Sequence, residues 1–258
     1  MKPVAFDLAA PADLAAAIQA LRQDGARPIA GGQSLGPMLN LRLAAPAMLV
    51  PIGRLPELTG AEDTDGAVTL GACITHAAIA DGRTPDIGHG TLAGIAERIA
   101  YRAVRNRGTI GGSLCHADPA ADWPCTLMAL DAVALTHRND GPGRAMALQH
   151  FITGAFTTAL EPGEILRAVR IPKLTATMRF GYYKACRKPG EFAHAMAAIR
   201  RDTAAGATRI VIGATGTKPL LFAAEADALA GLAATGLDPV GRHMQTVALR
   251  RALAMAAA

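Results

Sequence analysis

Apolar residues along the first quarter of the chain alternate between helical and strand spacing. Leu14, Ile18 and Leu21 recur on one helix face across residues 11–25, with Pro11 suited to a first turn and Gly25 to a stop. A short apolar run at 27–30 ends on Gly31-Gly32, and a second follows at 48–52, so the chain opens as a β/α unit with a glycine turn at a strand end. Residues 67–74 read as a strand, and the alanine-rich stretches 75–80 and 91–102 as helices. Another helix is predicted after the second Gly-Gly pair, then strands at 132–136 and 165–171, the latter stopped by Pro172. Beyond Met178 the pattern changes. Three strands at 179–187, 194–200 and 208–215, with a polar hairpin at 201–207, predict an antiparallel meander. The tail, 221–258, predicts two helices broken near Gly236 and Pro239. The change of pattern places a domain boundary near residue 175, separating 1–175 from 176–258.

At 258 residues the chain is long enough for one large fold or two lobes around a sizeable core. A net charge of +5 invites an anionic partner, but with only 4% aromatic residues and scattered basic groups, nucleic acid is disfavoured against a nucleotide-sized anion or an acidic protein. Cys73, Cys115, Cys125 and Cys186 lie far apart without a C-x-x-C, which predicts free thiols rather than a zinc or iron–sulfur site. The first fourteen residues lack an apolar signal region, and no stretch nears the ~18 apolar residues of a membrane span. The expected location is the cytoplasm.

The two serines of the chain, Ser34 and Ser113, each follow one of its two Gly-Gly pairs, Gly31-Gly32 and Gly111-Gly112. Small residues let backbone N–H groups approach an anion, and hydroxyls add donors, so the two segments together suit the phosphates of a dinucleotide. Each alone also fits a tight turn. The G-x-G-x-x-G fingerprint is absent, which argues against the common βαβ dinucleotide site. Gly32-Gln33-Ser34-Leu35-Gly36 matches the G-x-S-x-G of serine hydrolases, with Ser34 as nucleophile and His243 as a conceivable base. Its sequence context, one strand followed by Pro37, opposes that reading. His116 and Asp118 form an H-x-D beside Cys115, but neighbours on an extended segment point apart and further ligands are missing.

At these residues the sequence resembles the FAD-binding medium subunits of molybdenum hydroxylases, the family of the carbon monoxide dehydrogenase medium subunit and the xanthine dehydrogenase flavin domain. Residues 30–44 resemble the family's first FAD loop and 104–122 its second; 156–166 and 181–193 resemble later segments, while the C-terminal region is short for the family. The resemblance implies an α+β FAD-binding domain of the p-cresol methylhydroxylase/vanillyl-alcohol oxidase type. Its two α/β lobes would span about 1–57 and 58–175, followed by a smaller C-terminal domain with a three-stranded antiparallel sheet and helices. It implies non-covalent FAD, held by Ala30, Gly31, Gly32, Gln33, Ser34 and Leu35, by Thr109, Ile110, Gly111, Gly112 and Ser113, and by Asp122, Leu166 and Lys184. From the residues alone, the favoured readings are a helix N-cap for Asp122 and a solvated strand residue for Lys184. Tyr182 either covers the isoalloxazine ring or belongs to the core. The implied chemistry is electron relay. A large partner subunit would hold the molybdenum cofactor and a small one two [2Fe-2S] clusters, in a dimer of heterotrimers. The alternative is a non-catalytic flavin-binding or assembly module.

Overall fold

The computed structural model describes residues 2–257, and the first of its three main sheets is parallel. It is built from β1 (Asp7–Leu8), α1 (Leu14–Ala20), β2 (Ala26–Ile29), α2 (Leu35–Asn40) and β3 (Met48–Pro51), in strand order β1-β3-β2. Asp13, not Pro11, starts α1. Its carboxylate accepts the Ala16 amide at 2.7 Å, and Leu14, Ala17 and Ile18 turn inward onto Val50 and Leu58.

The second sheet is antiparallel and five-stranded. After α3 (Pro56–Thr59) come β4 (Ala61–Asp63), β5 (Ala67–Gly71), α4 (His76–Ala80), α5 (Thr91–Glu97), α6 (Arg102–Arg105), α7 (Ile110–His116) and α8 (Asp122–Ala129). Then follow β6 (Val133–His137), β7 (Ala145–Ala147), α9 (Leu148–Phe151), the small hairpin β8 (Ile152–Gly154) and β9 (Thr157–Thr158), and β10 (Ile165–Pro172). The strand order is β4-β5-β10-β6-β7. Residues 61–63 carry no apolar signal and all three are exposed, which is why this edge strand is invisible to periodicity.

The helix predicted over 91–102 is broken. It ends at Glu97, Ala100 adopts φ 44°, and α6 begins afresh, because Arg105 Nη1 donates to the Ile99 and Ala100 carbonyls at 3.0 and 2.8 Å. These tertiary ties override the helix propensity of the alanines.

The C-terminal sheet has four strands rather than three. β11 (Met178–Ala185), β12 (Ala195–Asp202) and β13 (Ala207–Gly213) form the predicted meander, and β14 (Leu220–Phe222) adds a short edge. α10 (Glu225–Ala233) and α11 (Pro239–Met255) cover one face, the break between them lying at Gly236 and Pro239 as predicted. The other face meets α8, all eight residues of which are buried. Trp123 and Met128 share one apolar cluster with Tyr182, Met196, Ala198 and Val211, so the largest core runs across residue 175. Both ends of α8 are fastened to this sheet. Arg200 and Arg209 reach the Leu130 and Met128 carbonyls at its C-terminal end, while β11 supplies the partners of Asp122 at its start. Among the described residues, no helix is long and apolar enough to cross a membrane.

Candidate functional site

The first Gly-Gly pair lies where β2 leaves the parallel sheet and turns into α2. Gly31 is compulsory here. A Cβ on it would fall 1.8 Å from the Arg107 carbonyl oxygen and 2.9 Å from the Gly108 nitrogen, so the backbones of the two candidate segments touch. Gly32 has φ +70°, a region open to glycine, and its carbonyl accepts the Gly36 amide at 2.9 Å. Arg107 Nε and Gln33 Nε2 both donate to the Gly31 carbonyl, at 3.3 and 3.2 Å. Among the described residues, the amides of Gly31, Gly32, Gln33 and Ser34 have no acceptor within the chain. Four consecutive free N–H groups at a turn form a concavity suited to phosphate oxygens. Ala30 and Leu35 bracket this turn.

Ser34 stands at a true strand-to-helix turn of a parallel sheet, contrary to the sequence context read for G-x-S-x-G. Its hydroxyl makes no hydrogen bond, with a histidine or any other described residue, so it has no paired base.

The second Gly-Gly pair is not a loop. Thr109 caps α7 by accepting the Gly112 amide on Oγ1 at 3.0 Å, and the pair occupies the first turn. The Ile110 amide donates to Ile74, Gly111 to Ala72 at 2.8 Å, and Ser113 to Thr109. These donors are therefore spent, and the expectation of a second row of free amides does not hold. The glycines serve close approach instead: a Cβ on Gly111 would lie 2.4 Å from that of Ala72. Behind this turn, Gly108 presses on His76, whose amide donates to the Gly108 carbonyl at 2.9 Å. His76 Nδ1 accepts the Trp123 indole N–H at 3.1 Å, and burial, helped by Arg105, lowers the ring's pKa to about 4. Sequence reasoning passed over His76, because nothing in the spacing of a lone histidine marks its neighbours.

Asp122, Tyr182 and Lys184 converge. Asp122 is not the N-cap of α8 but its first residue, and Lys184 is not solvated: the two side chains are 5% and 3% exposed and lie 2.8 Å apart. Tyr182 donates its hydroxyl to Asp122 Oδ1 at 2.7 Å, and Lys184 Nζ also donates to the Arg98 carbonyl at 2.8 Å. Burial pushes the Asp122 carboxyl up, opposed by the ammonium and hydroxyl beside it, and the Tyr182 phenol is raised well above its usual value. Tyr182 is a core residue. It is 4% exposed, with the Arg98 guanidinium 5.9 Å from its ring centroid. Leu166 is 2% exposed, at a register shift of β10, and packs in the main core. His116 packs at a tilt against Phe156, with ring centroids 5.2 Å apart, and Asp118 accepts the Ala120 amide, so the H-x-D serves local structure. Burial pushes the Cys73 thiol up to about 12.

Residues 4–174 match the family model described as the FAD binding domain in molybdopterin dehydrogenase. Similar curated proteins include the carbon monoxide dehydrogenase medium chain of Afipia carboxidovorans, 33% identical over 100% of this chain and 99% of its own length. The 6-hydroxypseudooxynicotine dehydrogenase complex subunit alpha of Paenarthrobacter nicotinovorans is 36% identical over 75% of this chain and 66% of that protein. Among solved structures, a carbon monoxide dehydrogenase from Hydrogenophaga pseudoflava superimposes with a TM-score of 0.89 at 29% identity, covering 99% of this chain and 98% of that one.

Proposed function

Since the chain belongs to the FAD-binding domain family of the molybdopterin dehydrogenases, we propose that it is the flavin-bearing electron-relay subunit of a molybdenum hydroxylase complex. The observation that carries this reading is the run of free amides from Gly31 to Ser34, braced by the Arg107–Gly108 backbone. A dinucleotide's phosphates would take those N–H groups as acceptors. FAD, when bound, supplies the two-electron chemistry. The protein's part is to hold it: the turn at 30–35 binds charge, the Ser113 hydroxyl adds a donor, and the 109–112 turn fixes the wall beside it. Lys184, anchored by Asp122, is placed to offset negative charge. We place the boundary between a cofactor-binding part and a C-terminal part that grips α8 near residue 175.

A large molybdenum-cofactor subunit and a small subunit with two [2Fe-2S] clusters are the proposed partners, in a cytoplasmic dimer of heterotrimers. With four dispersed cysteines, this chain lacks the ligands for those clusters. Purification of the chain with its partners, acid precipitation and flavin analysis test the proposal. FAD should appear in the supernatant; pigment left on the polypeptide would overturn the non-covalent assignment, and absence of flavin the reading itself. Anaerobic addition of substrate should bleach the flavin in the complex and not in the isolated chain. Flavin that stays oxidised in a turning-over complex would favour an assembly module.

A further inference from the structure

The inward face of α11 carries one polar side chain among apolar ones. Gln245 is fully buried, while Leu249 and Ala252 on the same face pack into the C-terminal core. A buried side-chain amide costs free energy unless its donors and acceptor are satisfied, so packing alone would favour a leucine here. The amide is satisfied entirely by main chain. Nε2 donates to the Gly213 and Ala214 carbonyls at 2.8 and 3.2 Å, and Oε1 accepts the Met196 amide at 3.3 Å. Only one orientation of the amide allows this, since a flip would set N–H against N–H and oxygen against carbonyl oxygen.

The groups it holds lead to the two members of the Asp122–Lys184 pair. Met196 is the cross-strand neighbour of Lys184. Ala214, at φ 57°, donates its amide to the Pro119 carbonyl at 2.8 Å, and Pro119 lies in the short loop that delivers Asp122 to the start of α8. A left-handed alanine persists only where its surroundings fix it, and here the bonds to Gln245 and Pro119 fix both its carbonyl and its amide. Gly213 is wedged between the same elements: a Cβ on it would lie 3.0 Å from the Met196 side chain and 3.2 Å from the Cys125 Cβ, in the first turn of α8. One side chain of the C-terminal helix thus fastens the strand opposite Lys184 and the loop leading to Asp122.

We infer that Gln245 is a positioning residue for the cofactor site: through Met196 and Ala214 it keeps the Lys184 ammonium and the Asp122 carboxylate 2.8 Å apart where the ammonium offsets negative charge on the flavin. The inference rests on the flavin reading above. Coulomb attraction falls with distance, so displacing a buried ammonium weakens the preference for the more negative, reduced cofactor. Removing the three bonds of Gln245 therefore lowers the flavin's midpoint potential, although Gln245 is bonded to neither member of the pair.

The purified complex is compared as parent, Gln245→Met, Gln245→Asn and Leu249→Ala, with Lys184→Met as the reference for full loss of the ammonium. Methionine is close to glutamine in shape without its hydrogen bonds, and asparagine draws the amide back by a methylene. Leu249→Ala opens a cavity under the same helix and leaves these bonds alone. Both Gln245 variants should shift the flavin reduction equilibrium about tenfold toward the oxidised form, about 30 mV for a two-electron couple, in the same direction as Lys184→Met. Leu249→Ala should lower the melting temperature and keep the parental potential. Hydrogen exchange read by mass spectrometry should quicken over residues 117–122 and 181–186 in the Gln245 variants and not in Leu249→Ala. Flavin content is measured first: a parent complex without flavin overturns the cofactor reading, and exchange alone then decides whether Gln245 holds the pair. A flavin-loaded Gln245→Met complex with parental potential and exchange, or a Leu249→Ala complex shifted equally, overturns the positioning role and leaves the cofactor assignment standing.

Discussion

Replacing Gly31 by alanine should separate the two cofactor segments while sparing the rest of the fold. The added methyl would fall 1.8 Å from the Arg107 carbonyl oxygen, so regaining ordinary contact requires backbone movement of about 1.6 Å. Arg107 cannot yield as a flexible side chain would, because the clashing atom is its main chain, and Gly108 behind it is pressed on His76. Overpacking of this kind costs about 1–3 kcal/mol of stability. The larger effect is on the ligand. A shift of that size takes the Gly31–Ser34 amides out of reach of acceptors held against the second segment, and losing two hydrogen bonds to charged oxygens removes about 3–6 kcal/mol. That corresponds to a loss in FAD affinity of about a hundredfold or more. The assay is flavin retention and reconstitution in the assembled complex, with circular dichroism and thermal melting to confirm folding. Gly36→Ala is the control, since its Cβ would meet nothing within 4 Å and α2 gains a better helix former. A folded Gly31→Ala complex that holds FAD as tightly as the control would refute the argument that contact between the segments shapes the site.

Gly111→Val should be poorly tolerated, because its Cβ would meet the methyl and the carbonyl of Ala72 at 2.4 and 2.6 Å in a buried helix turn and valine adds two further methyls there; loss of soluble folded chain, scored by expression and melting, is expected. Glu164 is held by Arg144, with help from the Thr136 hydroxyl, at a pKa of about 2, so its contribution is full above the ordinary carboxylate range and is lost as pH falls from about 4.5 through about 2. Glu164→Gln should cost about 1 kcal/mol at pH 7, since Arg144 is partly exposed and keeps Glu161, and should flatten that acid limb in urea titrations. His76 folds neutral with a pKa near 4, so the unfolded chain takes up its proton first and stability falls between pH 6.5 and 4, by up to about 3 kcal/mol. His76→Gln, which keeps an acceptor for Trp123, should show a shallower loss over that window; an unchanged slope would mean that His76 is not the titrating group.

What could be read from the sequence was whatever a local pattern encodes. The strands of the C-terminal meander are set apart by the polar hairpin at 201–207, and the break at Gly236 and Pro239 is marked by its own residues. β4 and β14 were missed because three-residue edges are fixed by pairing, β4 to β5 and β14 to β13, and not by their composition. The helix at 91–102 was overextended because the carbonyls that stop it are taken by Arg105 and by Lys184, 86 residues further on.

The site divides along the same line. Glycine pairs advertise backbone exposure, and at Gly31-Gly32 that inference matches the free amides. At Gly111-Gly112 the same letters mean the opposite, because a glycine permits close approach by any neighbour, and here the neighbour is Ala72 rather than solvent or ligand. The preceding Thr109 distinguishes the two cases: a threonine three residues ahead of Gly112 is an N-cap spacing, and a capped first turn has already satisfied the amide that a ligand would want. Ser34 keeps no such bond at the start of α2, which leaves its turn unsatisfied. A glycine pair without an upstream cap is therefore the better predictor of an anion cradle, and one behind a Thr-x-x-Gly spacing the better predictor of a packing contact.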